Sequence, residues 1–113
     1  MATIDDLVKV SGVVIAFAFA PDGTLAQYKA NVEAPPELAA MAAQFCASIT
    51  MNFNTLAGAF TKLNAMPWMP QQGWAYSGGQ YTCVVGDGGY RGVFAETAKA
   101  DFNRLFSTLI GNP

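Results

Sequence analysis

The sequence predicts an α+β fold in the order helix, two strands, long helix, three strands, helix, within one domain covering residues 1–113. Three observations carry this reading. An eight-residue apolar run, "VVIAFAFA", is followed by Pro-Asp-Gly and a second short run, which is the pattern of a hairpin. A stretch from Pro36 to Asn64 has helical spacing throughout and no proline between its ends. Glycine pairs then divide "GWAYS", "QYTCVVG" and "YRGVFAE" into three strands of a meander, and an amphipathic run closes the chain.

Taken in order, "TIDDLVKVSG" is a short helix. Thr3 caps it, Asp5 and Asp6 suit the positive end of its dipole, and Gly12 can end it with positive φ. Ile4, Leu7 and Val8 share its buried face. In "VVIAFAFA", residues 13–20, large side chains at Val13, Ile15, Phe17 and Phe19 alternate with smaller ones. Apolar on both faces, this is a central strand covered from each side. Pro21, Asp22 and Gly23 form the reversal, and "TLAQYK" returns as an edge strand guarded by Lys29. The alternative role for this corner, a ligand loop, is the lesser reading.

The helix from Pro36 to Asn64 resolves into three stripes at 100° per residue. Leu38, Ala42, Phe45, Ile49, Phe53, Leu56, Phe60 and Leu63 form a bulky stripe, expected to pack on the sheet. Ala39, Ala43, Cys46, Thr50, Asn54, Ala57 and Thr61 form a stripe of short side chains, and Met41, Gln44, Ser48, Met51, Thr55 and Gly58 a third. The latter two lack the Lys and Glu of a solvated surface, so part of the helix is expected to meet another protein. "PWMPQQ" breaks the helix. After the three strands Thr97 is expected to cap a last helix, "AKADFNRLFSTLI", with Ala98, Phe102, Leu105, Phe106 and Leu109 on its apolar stripe and Gly111 at its end.

Charge narrows the function classes. Charged residues make up 12% of the chain, against about 25% in ordinary domains. Of the 49 residues from Leu38 to Gly86 only Lys62 is charged. A small monomer would struggle to cover so neutral a surface, so an oligomer or a stable complex is expected. The net charge of -2 and the lack of a basic stripe argue against nucleic acid. The hydroxyls, amides and glycine in residues 38–61 argue against a membrane span. Two cysteines outside any CxxC pattern, with no secretion signal ahead of them, suggest a cytoplasmic setting.

The tempting motifs have bland readings beside them. "GDGGYRG" lacks both the following helix and the Lys-Ser/Thr of a phosphate loop, so it reads as a turn. Cys46 and Cys83 are candidate redox or persulfide thiols but also suit small core positions. Asp5 with Asp6, or Asp87 with Glu96, are candidate carboxylate pairs. With no His and no nucleophile motif beside them, they read as capping, turn and surface charges. The chain therefore presents no catalytic, cofactor or metal residues, and is not expected to be an enzyme. Trp68, Trp74, Tyr76 and Tyr81 serve either the core or an interface.

In element order and in "SGVVIAFAFAPDGTLAQY", the chain resembles the roadblock/dynein light chain domains. "MAAQFCASITMNFNTLAGAF", "PQQGWAYSGGQYT" and "RGVFAETAKADFNRLF" are similar to a bacterial branch of uncharacterised function. The resemblance implies a five-stranded antiparallel sheet, with the long helix on one face and the two terminal helices on the other. It also implies a homodimer formed by edge strand 73–77 and long helix 36–64. That places Trp74, Tyr76, Ala43, Cys46, Thr50, Met51, Asn54 and Ala57 at the partner interface. The expected function is a non-enzymatic assembly, scaffold or regulatory module. Accessory regulation of a small GTPase and a cysteine-based sulfur or redox carrier are the alternatives.

Overall fold

The computed structural model describes residues 3–65 and 67–110. Helix α1 spans Ile4–Val8, strands β1 and β2 Val13–Phe19 and Leu25–Ala30, and helix α2 Pro36–Asn64. Strands β3, β4 and β5 follow at Trp74–Gly78, Tyr81–Gly86 and Arg91–Glu96, and helix α3 at Phe102–Ile110. The strands form one antiparallel sheet in the order β2-β1-β5-β4-β3. This is the expected α+β architecture, with β2 and β3 at its edges.

Local chemistry explains most boundaries. Thr3 and Asp6 make a reciprocal capping box, with Thr3 Oγ1 accepting from the Asp6 amide and Asp6 accepting from the Thr3 amide. The β1–β2 corner closes through the Ala20 amide on the Thr24 carbonyl and the Thr24 amide on Asp22 Oδ1, each at 2.9 Å. Gly23 at its tip has φ +90, and a Cβ there would stand 3.2 Å from the Gln44 Cα, so the corner needs glycine both for its turn and for its contact with α2. Gly12 does take positive φ, yet α1 has already ended at Lys9; the glycine serves the turn into β1.

Two cores lie on the two faces of the sheet. On one, α1 and α3 pack Leu7, Leu105 and Leu109 against Ala16, Val84, Val93 and Ala95. On the other, α2 lies over Ile15, Phe17, Phe19, Cys83 and Val85. Helix α3 begins later than Thr97 predicts. The Arg104 amide donates to Asp101 Oδ1, so Asp101 caps the helix, while Thr97 Oγ1 bonds Thr82 Oγ1 at 2.8 Å. Gly111, the expected end of that helix, lies outside the described residues.

The rotation of α2 reverses the expectation. Its short-side-chain stripe, Ala39, Ala43, Cys46, Thr50 and Ala57, is the buried one, joined by Ala47. The bulky stripe faces out: Phe45 is 65% exposed and Leu63 80%, with Leu38, Phe53 and Leu56 exposed as well. The sheet supplies the bulk instead. Phe17 stacks between Phe19 and Phe94 at 5.7 and 5.5 Å, and Tyr90 meets Phe19 at 5.9 Å. Against a floor of aromatic rings only a helix face of small residues reaches interior packing density.

Candidate interaction surface

The length of α2 determines what it can cover. Its 29 residues rise about 43 Å, close to the molecule's longest extent of 44 Å. Strands of 5–7 residues are only about 17–23 Å long. The N-terminal half of α2 therefore rests on the sheet, and its C-terminal half is supported by the segment 67–73, which folds back along it. The Trp68 amide donates to Thr61 Oγ1 at 3.1 Å, and the Trp68 ring tilts against Phe60 at 5.1 Å. Gln71 Nε2 donates to the Thr50 carbonyl at 3.1 Å and to Asn54 Oδ1 at 2.8 Å. A backbone carbonyl only accepts, which fixes the orientation of the Gln71 amide.

Thr50 joins helix, strap and sheet. Its Oγ1 donates to the Gly89 carbonyl at 2.7 Å and accepts from Trp74 Nε1 at 2.9 Å. A Cβ at Gly89 would collide with the Thr50 side chain, so glycine there allows the helix its approach. These bonds hold Trp74 inside the chain, with its ring against Phe53.

The sequence-derived interface residues consequently divide. Ala43, Cys46, Thr50, Ala57 and Trp74 are buried within this chain. Asn54 is half-buried and holds Gln71. Met51 and Tyr76 are exposed, on α2 and on edge strand β3. The residues that periodicity assigned to the core, Leu38, Phe45, Phe53, Leu56 and Leu63, now belong to the outer surface together with Met41. Two apolar recesses flank this surface. One of about 590 Å³ lies between the C-terminal half of α2 and the strap, lined by Phe53, Leu56, Phe60, Trp68 and Met69. The other, of about 430 Å³, opens between Leu38, Ala39 and Ala42 of α2 and Ile15, Phe17 and Phe94 of the sheet.

Charged groups are placed by structure. Asp5 pairs with Lys29 at 2.8 Å, Asp87 with Arg91 at 4.0 Å, and Glu96 with Lys99 at 3.4 Å. Asp87 and Glu96 flank opposite ends of β5, too far apart to share a proton. Hydrogen bonds from the Thr3 amide and hydroxyl, aided by nearby positive charge, lower the pKa of Asp6; those from Thr24 do the same for Asp22. Cys46 and Cys83 are both buried free thiols in the core between α2 and the sheet. Interaction with Cys46, together with burial, pushes the Cys83 thiol up, while interaction with Cys83 lowers the Cys46 pKa against the effect of burial. Among the described residues no helix is long and apolar enough to cross a membrane.

Comparison with known proteins places this geometry. A family model described as "Uncharacterized conserved protein (DUF2173)" matches residues 3–110. The structure is similar to a Roadblock/LC7 domain from Streptomyces avermitilis, at 15% identity and TM-score 0.71, covering 93% of this chain and 83% of that one. It is also similar to the gliding protein MglB from Thermus thermophilus, at 17% identity and TM-score 0.67, covering 96% and 83%. A structure described as MglB with tetrameric arrangement matches at 16% identity and TM-score 0.66, covering 96% and 82%. The fold is thus of the roadblock type. No curated protein matches the chain.

Proposed function

The chain belongs to the DUF2173 family, and we propose that it is a non-enzymatic, homodimeric assembly module built on the roadblock fold. The observation that carries this reading is the outward bulky stripe of α2 beside the open edge of β3. Beyond Trp74, β3 is exposed and uncharged, and it has a neighbour, β4, on one side. An edge without charge is a template for another strand. A second copy related by a two-fold axis would continue the sheet and bring the two α2 stripes together in one isologous contact.

Surface area supports the same reading. The chain exposes 6769 Å². A folded monomer of 12.0 kDa is expected to expose about 6,000 Å². The surplus, roughly 800 Å², equals what one partner contributes to a standard interface.

Amide exchange tests the pairing directly. The amides of residues 74–78 that point away from β4 should be protected at high protein concentration and lose that protection on dilution. Rapid exchange along the outer edge of β3 at every concentration contradicts it.

The roadblock resemblance also carries a small GTPase as partner. Nucleotide hydrolysis and exchange by GTPases encoded nearby, with and without this protein, test that role; unchanged rates remove it. A cysteine-based carrier requires a thiol that a partner can reach. The burial of both cysteines weighs against it.

A further inference from the structure

The recess beside the N-terminal half of α2 lies one turn before the helix closes on the sheet. Ala43, Cys46 and Ala47 join the core there, whereas Ala39 and Ala42, equally short, border an opening of about 430 Å³. Its floor includes Ile15 of β1 and Phe94 of β5, which are register partners and belong to the helix-facing core. Tyr81 stands two residues before Cys83 on β4 and so points to that same side of the sheet. Val32, Leu38 and Tyr81 form the mouth, each between 44% and 49% exposed. Such a volume is that of a small-ligand pocket, about three times what takes up one benzene ring in an apolar core. Apart from Tyr81, whose phenol is at the mouth, the described lining side chains are all hydrocarbon.

We propose that this recess is a binding site for an uncharged, apolar small molecule of two or three rings, or an alkyl chain of similar bulk. The walls decide the class. An ionised group inside would give up its hydration with no counter-charge and no polar side chain to replace it, so the body of the ligand is neutral. The apolar surface it buries supplies the affinity. One polar end fits only at the mouth, where the Tyr81 hydroxyl can donate or accept. Size separates a free molecule from an inserted side chain. A phenyl group reaching in from another protein would fill about a third of the space. The site makes no use of self-association and stands apart from the dimer reading.

The test uses N-phenyl-1-naphthylamine, an uncharged three-ring fluorophore, titrated into the folded wild-type protein. It should bind once per chain with enhanced, blue-shifted emission, and decan-1-ol should displace it. Ala42→Phe fills the recess and should abolish binding. Leu38→Glu changes an exposed residue in the first turn of α2, where a carboxylate suits the helix dipole. It should keep the urea midpoint yet weaken binding about tenfold or more, since it replaces apolar contact at the mouth with charge. Leu56→Glu, at the other recess, should leave binding unchanged. Four results would overturn the proposal: no saturable uptake, uptake that persists undiminished in folded Leu38→Glu, uptake lost in Leu56→Glu, or uptake that falls as self-association rises with protein concentration, which would give the recess to a second copy.

Discussion

At the residue scale the position that decides the most is Thr50. A fully buried hydroxyl donates to one element and accepts from another, and the backbone carbonyl of the same residue holds the strap. Thr50→Val keeps the shape and strands both the Trp74 indole N–H and the Gly89 carbonyl. Each orphaned buried group costs about 1–3 kcal/mol, so urea unfolding should show a loss of roughly 2–4 kcal/mol, with a changed environment reported by Trp74 fluorescence. None of this was legible in the sequence. Thr50 stood out only as one short side chain among others, and its partners lie 24 and 39 residues away. Local chemistry was legible at Thr3, where the capping box needs only residues three apart. Asp6 in that box has a depressed pKa in the folded state. Its contribution is therefore present above the unfolded value near 3.8 and is lost as pH falls through the folded value. Asp6→Asn should lower the urea midpoint at pH 7 and make stability less sensitive to acid below about pH 4.

At the element scale, the succession of helices and strands and the limits of α2 followed from turn residues and periodicity, because proline and glycine act on the backbone where they stand. The face of α2 did not follow. Periodicity separates stripes, but it does not say which one meets the core when the opposing sheet already carries Phe17, Phe19, Phe94 and Tyr90. Large side chains then go outward, and the volume balance that sends them there is a property of two elements together. The start of α3 was missed for a related reason: Thr97 looked like a cap, but its hydroxyl is engaged by Thr82 across the sheet. The inverted helix makes opposite predictions for its two sides. Ala43→Leu overfills a buried site and should destabilise the fold by about 1–3 kcal/mol in urea. Phe45→Glu replaces an exposed residue and should leave the unfolding free energy of the isolated subunit within about 0.5 kcal/mol.

At the scale of the whole molecule, shape and charge bear on the proposed association. A helix roughly twice as long as the strands leaves its C-terminal half with support from one short strap. The same half carries Leu56, Phe60 and Leu63 and a single charge, Lys62. An isolated helical segment of such length is marginal in water, so packing must hold it. Part of the neutral span read from the sequence lies inside the fold: Ala43, Cys46, Thr50 and Ala57 meet the sheet of their own chain. The central claim is that the outward stripe of α2 joins two copies. Light scattering across a dilution series, for wild type and for Phe45→Glu, tests it most directly. Wild type should show twice the 12.0 kDa chain mass. The variant should associate at least about 30-fold more weakly, the effect of losing an interface anchor worth about 2 kcal/mol or more. A wild-type protein that remains monomeric at tens of micromolar, or a variant that dimerises as tightly as wild type, would contradict it.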